Sequence, residues 1–226
     1  TRNMTNSLPT TLPLSKLVTE MQESATLKMA KMARELKAQG KDVIDLSLGE
    51  PDFDTPVHIK EAAKKALDDG YTKYTPVNGL LELRQAIVNK LARENDLHYT
   101  VNQIVVSNGA KQSVYNLCMA LLDPGDEVIL PAPYWVSYAE IVKMAGGVPV
   151  IANSSIEQDF KSTPEEIEAL ITDRTKFILY SSPCNPSGSV FSFEELQALA
   201  LMLQAHEHVL VVSDEIYEHI NFTDRH

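Results

Sequence analysis

The residues between Ser181 and Tyr217 are the ones whose types and spacing could do chemistry. They read Ser-Ser-Pro-Cys-Asn-Pro-Ser-Gly, then a helix-like segment, then Val-Leu-Val-Val-Ser-Asp-Glu-Ile-Tyr. An apolar run from Val209 to Val212 ending in Asp214 is how a buried parallel strand delivers a carboxylate to the carboxyl edge of a sheet. A second strand-like run, Phe177 to Tyr180, would bring Asn185 and Pro186 to that same edge. An anion (Asp214), an amide (Asn185) and a phenol (Tyr217) would then converge. That set suits a planar, cationic heteroaromatic ring bearing a phenolic oxygen, and pyridoxal phosphate is such a ring.

Each further signal has a plain alternative beside it. Asn108-Gly109-Ala110-Lys111 follows a strand-like run and opens a helix, so its free N–H groups could cradle a phosphate; a tight turn explains the same residues. The chain contains no GxGxxG and no Walker loop. Trp135, the single tryptophan, could stack on a flat ligand or simply pack in the core. The Asn185–Pro186 bond could be cis, aiming the amide into a cleft, or an ordinary turn. A carboxylate at the end of an apolar strand is costly unless paired, which favours a pyridinium partner for Asp214 over a helix cap or ion pair. Tyr217 would donate to a phenolate oxygen or pack half-buried. His206 and His208 read as a solvated loop. No histidine shows metal-ligand spacing, and no Gly-x-Ser-x-Gly elbow occurs.

The elements that must position these groups follow from periodicity. A polar, proline-containing arm precedes a helix from an N-cap at Ser24 to Gln39, closed by Gly40. A strand-like Val43–Ser47, a loop through Pro56, a helix ending near Gly70, a loop over 71–79 and an amphipathic helix over 80–94 come next. From Gln103 onward strand-like and helix-like segments alternate: strands at 104–107, 127–130, 148–152, 176–180 and 209–213, helices at 111–122, 134–144, 164–171 and 193–205. Such alternation predicts an α/β fold with a mostly parallel sheet covered on both faces. The division falls near 45–55.

The 226 residues can bury a sizeable core. The net charge of −11, from 20 basic and 31 acidic residues, argues against nucleic acid or an anionic membrane as the main partner. No apolar run approaches the ~20 residues of a membrane span. Two distant cysteines, Cys118 and Cys184, fit a cytoplasmic protein with reduced thiols.

Jointly, six ordered motifs resemble the class I aminotransferases, nearest the bacterial aspartate aminotransferases of the prokaryotic subgroup. They are Ser47-Leu48-Gly49-Glu50-Pro51-Asp52-Phe53, Lys73-Tyr74-Thr75-Pro76-Val77-Asn78-Gly79, Ser107-Asn108-Gly109-Ala110-Lys111-Gln112, Pro133-Tyr134-Trp135-Val136-Ser137-Tyr138, Asn185-Pro186-Ser187-Gly188 and Ser213-Asp214-Glu215-Ile216-Tyr217. The resemblance implies a fold-type I architecture: a mostly parallel, seven-stranded large domain over 49–226, here incomplete, and an arm with part of a small domain over 1–48. It implies pyridoxal 5'-phosphate as cofactor, with Asp214 on the pyridine nitrogen, Asn185 and Tyr217 on the phenolic oxygen, and Trp135 on the ring face. Gly109, Ala110 and Lys111 would line the phosphate, and Tyr74 would reach the cofactor of a neighbouring subunit in a homodimer. Gly49, Trp135 and Asn185 would meet the substrate, and Lys111 its distal carboxylate. Transfer of an amino group from L-aspartate to 2-oxoglutarate is the implied activity. Aromatic or branched substrates and C–S lysis remain as alternatives.

The chain departs from that family in one large respect. No lysine follows Lys176, so the Schiff-base lysine and the α-carboxylate arginine of the family would lie beyond His226. By this reading the chain is an N-terminal part of an aminotransferase, inert by itself and prone to associate through uncovered apolar surface. Gln22 stands where relatives that accept prephenate carry a lysine, which tilts the substrate toward aspartate.

Overall fold

The computed structural model describes residues 13–21, 25–47, 49 and 53–223. In chain order its helices are α1 (Lys16–Glu20), α2 (Ala25–Ala38), α3 (Val57–Asp68), α4 (Leu81–Asn95), α5 (Ala110–Leu121), α6 (Ser137–Met144), α7 (Pro164–Glu168) and α8 (Phe193–Leu203). Its strands are β1 (Glu127–Pro131), β2 (Val148–Ala152), β3 (Thr175–Ser181) and β4 (Leu210–Asp214). The chain forms two compact units, one of residues 44–120 and one joining the residues up to 43 to those from 121 onward.

The second of these holds the sheet. Its strands lie in the order β2-β1-β3-β4, all parallel, and each successive pair in sequence is joined through a helix. Parallel strands need such crossovers, and the helices then cover the sheet. The two central strands carry continuous apolar runs, with Val128, Ile129, Leu130, Phe177, Ile178 and Leu179 fully buried. Ile129 pairs with Ile178 and shares a face with Ala152, Ile167, Leu199 and Val209, so α7 and α8 close one side of the core. Tyr138, Ile141 and Val142 of α6 are buried too, and α6 packs on β1 and β2.

Local chemistry sets the helix starts. Thr163 and Glu166 form a capping box on α7 with Pro164 in its first turn, and Ser192 and Glu195 form one on α8. At the amino end of β1, buried Glu127 is paired with Arg174 (2.5 Å) and accepts from the Thr172 hydroxyl (2.6 Å).

Several expectations are corrected. Residues 43–47 and 104–107 belong to no strand: Ile44 and Leu46 are exposed, and the Val106 N–H donates to the Asn78 carbonyl of a loop (3.1 Å) instead of to a ladder. Apolar alternation supplies a strand's side chains but not its hydrogen-bonding partner. The strand delivering Asp214 is not the fully buried one its composition suggested. β4 is the edge of the sheet, with Leu210 50 % and Val211 49 % exposed. The predicted helix from residue 134 begins at Ser137, leaving Trp135 in the irregular segment between the bend at Ala132–Pro133 and the helix. Ser24 and Gln22 lie outside the described residues, as do most of the Gly49–Asp52 motif residues.

In the unit of residues 44–120, Gly79 has φ +95° and a Cβ there would meet Val106 Cγ2 at 2.6 Å, so only glycine lets the 76–79 turn lie on residue 106. Buried Arg84 of α4 donates to the carbonyls of Gly79 (3.2 Å) and Val101 (2.8 Å), closing the same turn.

Candidate functional site

Three strands end at one edge of the sheet. β1 runs into Ala132-Pro133-Tyr134-Trp135, β3 into Ser182-Pro183-Cys184-Asn185-Pro186, and β4 ends on Asp214, which pairs with Ser181 of β3. The Ala132–Pro133, Ser182–Pro183 and Asn185–Pro186 bonds are all cis. The first two loops are tied together where the Cys184 thiol donates to the Pro133 carbonyl (3.2 Å).

Asp214 is half-buried. Its Oδ2 accepts from the Tyr138 hydroxyl (2.6 Å) and its Oδ1 from the Ile216 N–H (3.2 Å). Both donors are neutral, and among the described residues Asp214 makes no ion pair. Each oxygen keeps acceptor capacity, so the carboxylate is oriented without its charge being matched. A protonated ring nitrogen is the kind of partner that completes such a group.

Tyr138 is a residue the sequence reading gave no role. It lies on α6, 1 % exposed, with its ring edge-to-face on Trp135 (centroids 5.6 Å apart). Burial, then the adjacent Asp214 carboxylate, push its phenol well above the ordinary tyrosine range, while a hydrogen bond from Ser181 opposes them. The phenol therefore stays protonated and remains a donor. A signal was present in the sequence: Tyr138 begins the apolar face continued by Ile141 and Val142, and a buried phenol needs a polar partner.

Asn185 Nδ2 donates to the Tyr217 hydroxyl (2.8 Å). This leaves one amide hydrogen and the tyrosine's own O–H, two donors side by side, for an external oxygen. Both residues line a cavity of about 300 Å³ with Pro183, Pro186, Ile220 and Phe222; Asp214 and Trp135 do not line it. The donor set as a whole (an oriented anion and two convergent donors) fits a pyridinium ring with an adjacent phenolic oxygen.

The remaining predicted residues lie in the other unit. Gly109 has φ +85° with open space where a Cβ would stand. It immediately precedes α5, which starts at Ala110. The N–H of Asn108 is taken by the Gln112 side chain (2.5 Å). Lys111 is exposed, Gly49 is exposed, and Tyr74 is fully exposed. Among the described residues no helix is long and apolar enough to cross a membrane.

Comparison with known proteins gives this geometry a family. Residues 41–225 match the model of the class I and II aminotransferases. The aspartate/prephenate aminotransferase of Nitrosomonas europaea is 51 % identical over 209 residues, covering 92 % of this chain and 53 % of that protein. The aspartate aminotransferase of Geobacillus stearothermophilus is 50 % identical over 211 residues, covering 93 % and 53 %. Among solved structures, the aspartate aminotransferase of Rhizobium meliloti superposes with a TM-score of 0.91 at 44 % identity, covering 95 % of this chain and 54 % of that one. That of Thermus thermophilus with maleate gives 0.90 at 48 %, covering 96 % and 56 %. The chain spans about half the length of the curated relatives it matches. On the family match and these identities together, the chain belongs to the class I and II aminotransferases.

Proposed function

We propose that this chain forms the cofactor-holding part of a pyridoxal-phosphate-dependent aminotransferase that moves an amino group from L-aspartate to 2-oxoglutarate. The observation that carries the reading is the unpaired, oriented carboxylate of Asp214 at the same sheet edge as the Asn185–Tyr217 donor pair. Bound pyridoxal phosphate supplies an electron-withdrawing ring that stabilises negative charge at the substrate carbon. Asp214 would hold a proton on the ring nitrogen, its two oxygens kept in place by Tyr138 and Ile216. Asn185 and Tyr217 would donate to the phenolic oxygen, and Trp135 would cover a ring face. Gly109, Ala110 and Lys111 would receive the phosphate at the start of α5, where free N–H groups and the helix dipole favour an anion. Gly49 and Lys111 would face the substrate's carboxylates.

No lysine follows Lys176 in the 226 residues, so the covalent anchor is assigned to a protein spanning the relatives' full length, and these residues by themselves would turn nothing over. The reading includes a homodimer, supported by the full exposure of Tyr74. It includes a cytoplasmic location, supported by the two free thiols. The division into an arm with part of a small domain (1–48) and a cofactor-binding domain (49–226) belongs to the same proposal. The maleate named with the Thermus thermophilus relative is a four-carbon dicarboxylate like aspartate.

The test is oxaloacetate production by the full-length protein from L-aspartate, 2-oxoglutarate and pyridoxal phosphate; none formed would overturn the reading. Because a relative at 51 % identity is named for prephenate as well, prephenate belongs among the amino acceptors tried. With Gln22 in place of lysine, its turnover is expected to be well below that of 2-oxoglutarate.

A further inference from the structure

The loop that presents Asn185 is held from below by a buried cation. Lys161 is 9 % exposed. Its ammonium lies 2.7 Å from Glu195 Oε1 and 3.2 Å from Asp159 Oδ2, donates to the Val190 carbonyl (3.3 Å), and stands 5.8 Å from the centre of the Phe191 ring. Val190 and Phe191 form the base of the loop. From there the chain folds back on itself: Phe191 N–H donates to Ser182 Oγ (3.1 Å), Cys184 N–H to the Ser189 carbonyl (3.0 Å), and Gly188 N–H to the Cys184 carbonyl (2.8 Å). The Ser189 hydroxyl adds a bond to Asp159 (3.4 Å). Asn185 sits at the tip, on Tyr217.

The approach to Lys161 is itself strained. Asp159 and Phe160 are consecutive non-glycine residues in the left-handed region, with φ +54° and +55°. Such a conformation is unfavourable for a residue with a side chain and persists where its surroundings dictate it. Burying an ammonium is costly as well, and an apolar residue of similar volume commonly serves stability equally well. What a lysine adds here is direction: three hydrogens spread over two carboxylates and one carbonyl.

We propose that Lys161 is a positioning residue for Asn185, fixing the base of the 182–191 loop so that the amide at its tip meets the Tyr217 hydroxyl and the oxygen both would serve. The link to an external oxygen rests on the cofactor reading above; the link from Lys161 to the loop does not.

The test uses Lys161→Met and Lys161→Arg in the full-length protein, with Lys161→Gln should the methionine variant fail to fold. Without cofactor, alkylation of Cys184 and Cys118 by iodoacetamide is followed peptide by peptide by mass spectrometry. Cys184 reports the loop, and fully buried Cys118 reports general opening. Lys161→Met is expected to speed Cys184 labelling about tenfold with Cys118 unchanged, and Lys161→Arg to stay within about twofold of the parent. Equal acceleration at both thiols, or none at Cys184, overturns the proposal. With pyridoxal phosphate bound, the pH midpoint of its visible band should move in Lys161→Met in the same direction as in Asn185→Ala; an unmoved midpoint overturns it too. A parent protein that binds no pyridoxal phosphate overturns the cofactor reading and leaves the labelling comparison standing.

Discussion

Tyr138 and Asp214 are 76 residues apart in the chain and meet through a 2.6 Å hydrogen bond at the carboxyl edge of the sheet. Tyr138→Phe keeps the ring on Trp135 and removes only the donor. Losing one buried hydrogen bond to a charged group costs about 1.5–3 kcal/mol, so the urea midpoint should fall with an unchanged m-value. The Asp214 carboxylate also loses one of its two orienting donors, and pyridoxal phosphate binding by the full-length protein should weaken alongside. A variant as stable as the parent would show that the bond adds nothing to folding.

Removing the charge at residue 214 separates its two partners. Asp214→Asn keeps one acceptor oxygen, enough for the Tyr138 hydroxyl while the Ile216 N–H on the other side loses its partner, so stability should fall by no more than the roughly 1 kcal/mol of one partly exposed hydrogen bond. The amide cannot match a positive ring nitrogen, and cofactor affinity, read by absorbance titration, should drop at least about tenfold. Undiminished affinity would mean the ring nitrogen does not sit there.

Stability should drain away on the alkaline side. The unfolded Tyr138 phenol ionises near its ordinary 10.0, while the folded one holds its proton to higher pH, so the unfolded chain loses its proton first. The contribution is complete below about pH 10 and lost above it, at a slope of about 1.4 kcal/mol per pH unit. Tyr180, also raised chiefly by burial, acts in the same direction. Cys118, whose thiol burial pushes from 9.0 up to about 11, opens the decline earlier. Urea midpoints measured from pH 7 to 11 should be level at first and fall from about pH 9 onward, and Cys118→Ala should delay the fall. A level profile across that range would contradict these environments.

Two glycines with similar backbones should respond differently to alanine. Gly79→Ala forces a methyl to within 2.6 Å of Val106 Cγ2 as well as straining φ, and should cost well over 1 kcal/mol of stability. Gly109→Ala meets only open space, so its penalty should be the roughly 1 kcal/mol of the left-handed conformation alone. Its larger effect should be on affinity for the phosphate of the cofactor. Equal stability losses in chemical denaturation would refute this ranking.

Much of this was legible from residue order, and the misses have physical causes. Amphipathic spacing placed α4, Pro56 and Gly70 bracketed α3, and the alternation of segments placed α5 and α8, each to within a few residues, while the apolar runs placed β1, β2 and β3, because these are all local patterns. Strands at 43–47 and 104–107 were wrongly expected because pairing depends on a distant neighbour. Trp135 was expected inside a helix, yet the bend at Ala132–Pro133 and the irregular residues after it hold the helix off until Ser137. Asp214, Asn185 and Tyr217 could be singled out because acid, amide and phenol advertise their chemistry, and the structure brings the last two into contact. Tyr138 and Lys161 were passed over because their roles exist only through contacts across 76 residues and across 29 to 34 residues.

The outer rim of β4 has a consequence for anyone handling this polypeptide. Leu210 and Val211 stand half in water beside a row of main-chain groups that face no fifth strand among the described residues, which is how a sheet recruits foreign chain. Concentrated solutions of these 226 residues should therefore cloud by zipping copies together along residues 210–213, and a lysine at Val211 should keep them clear.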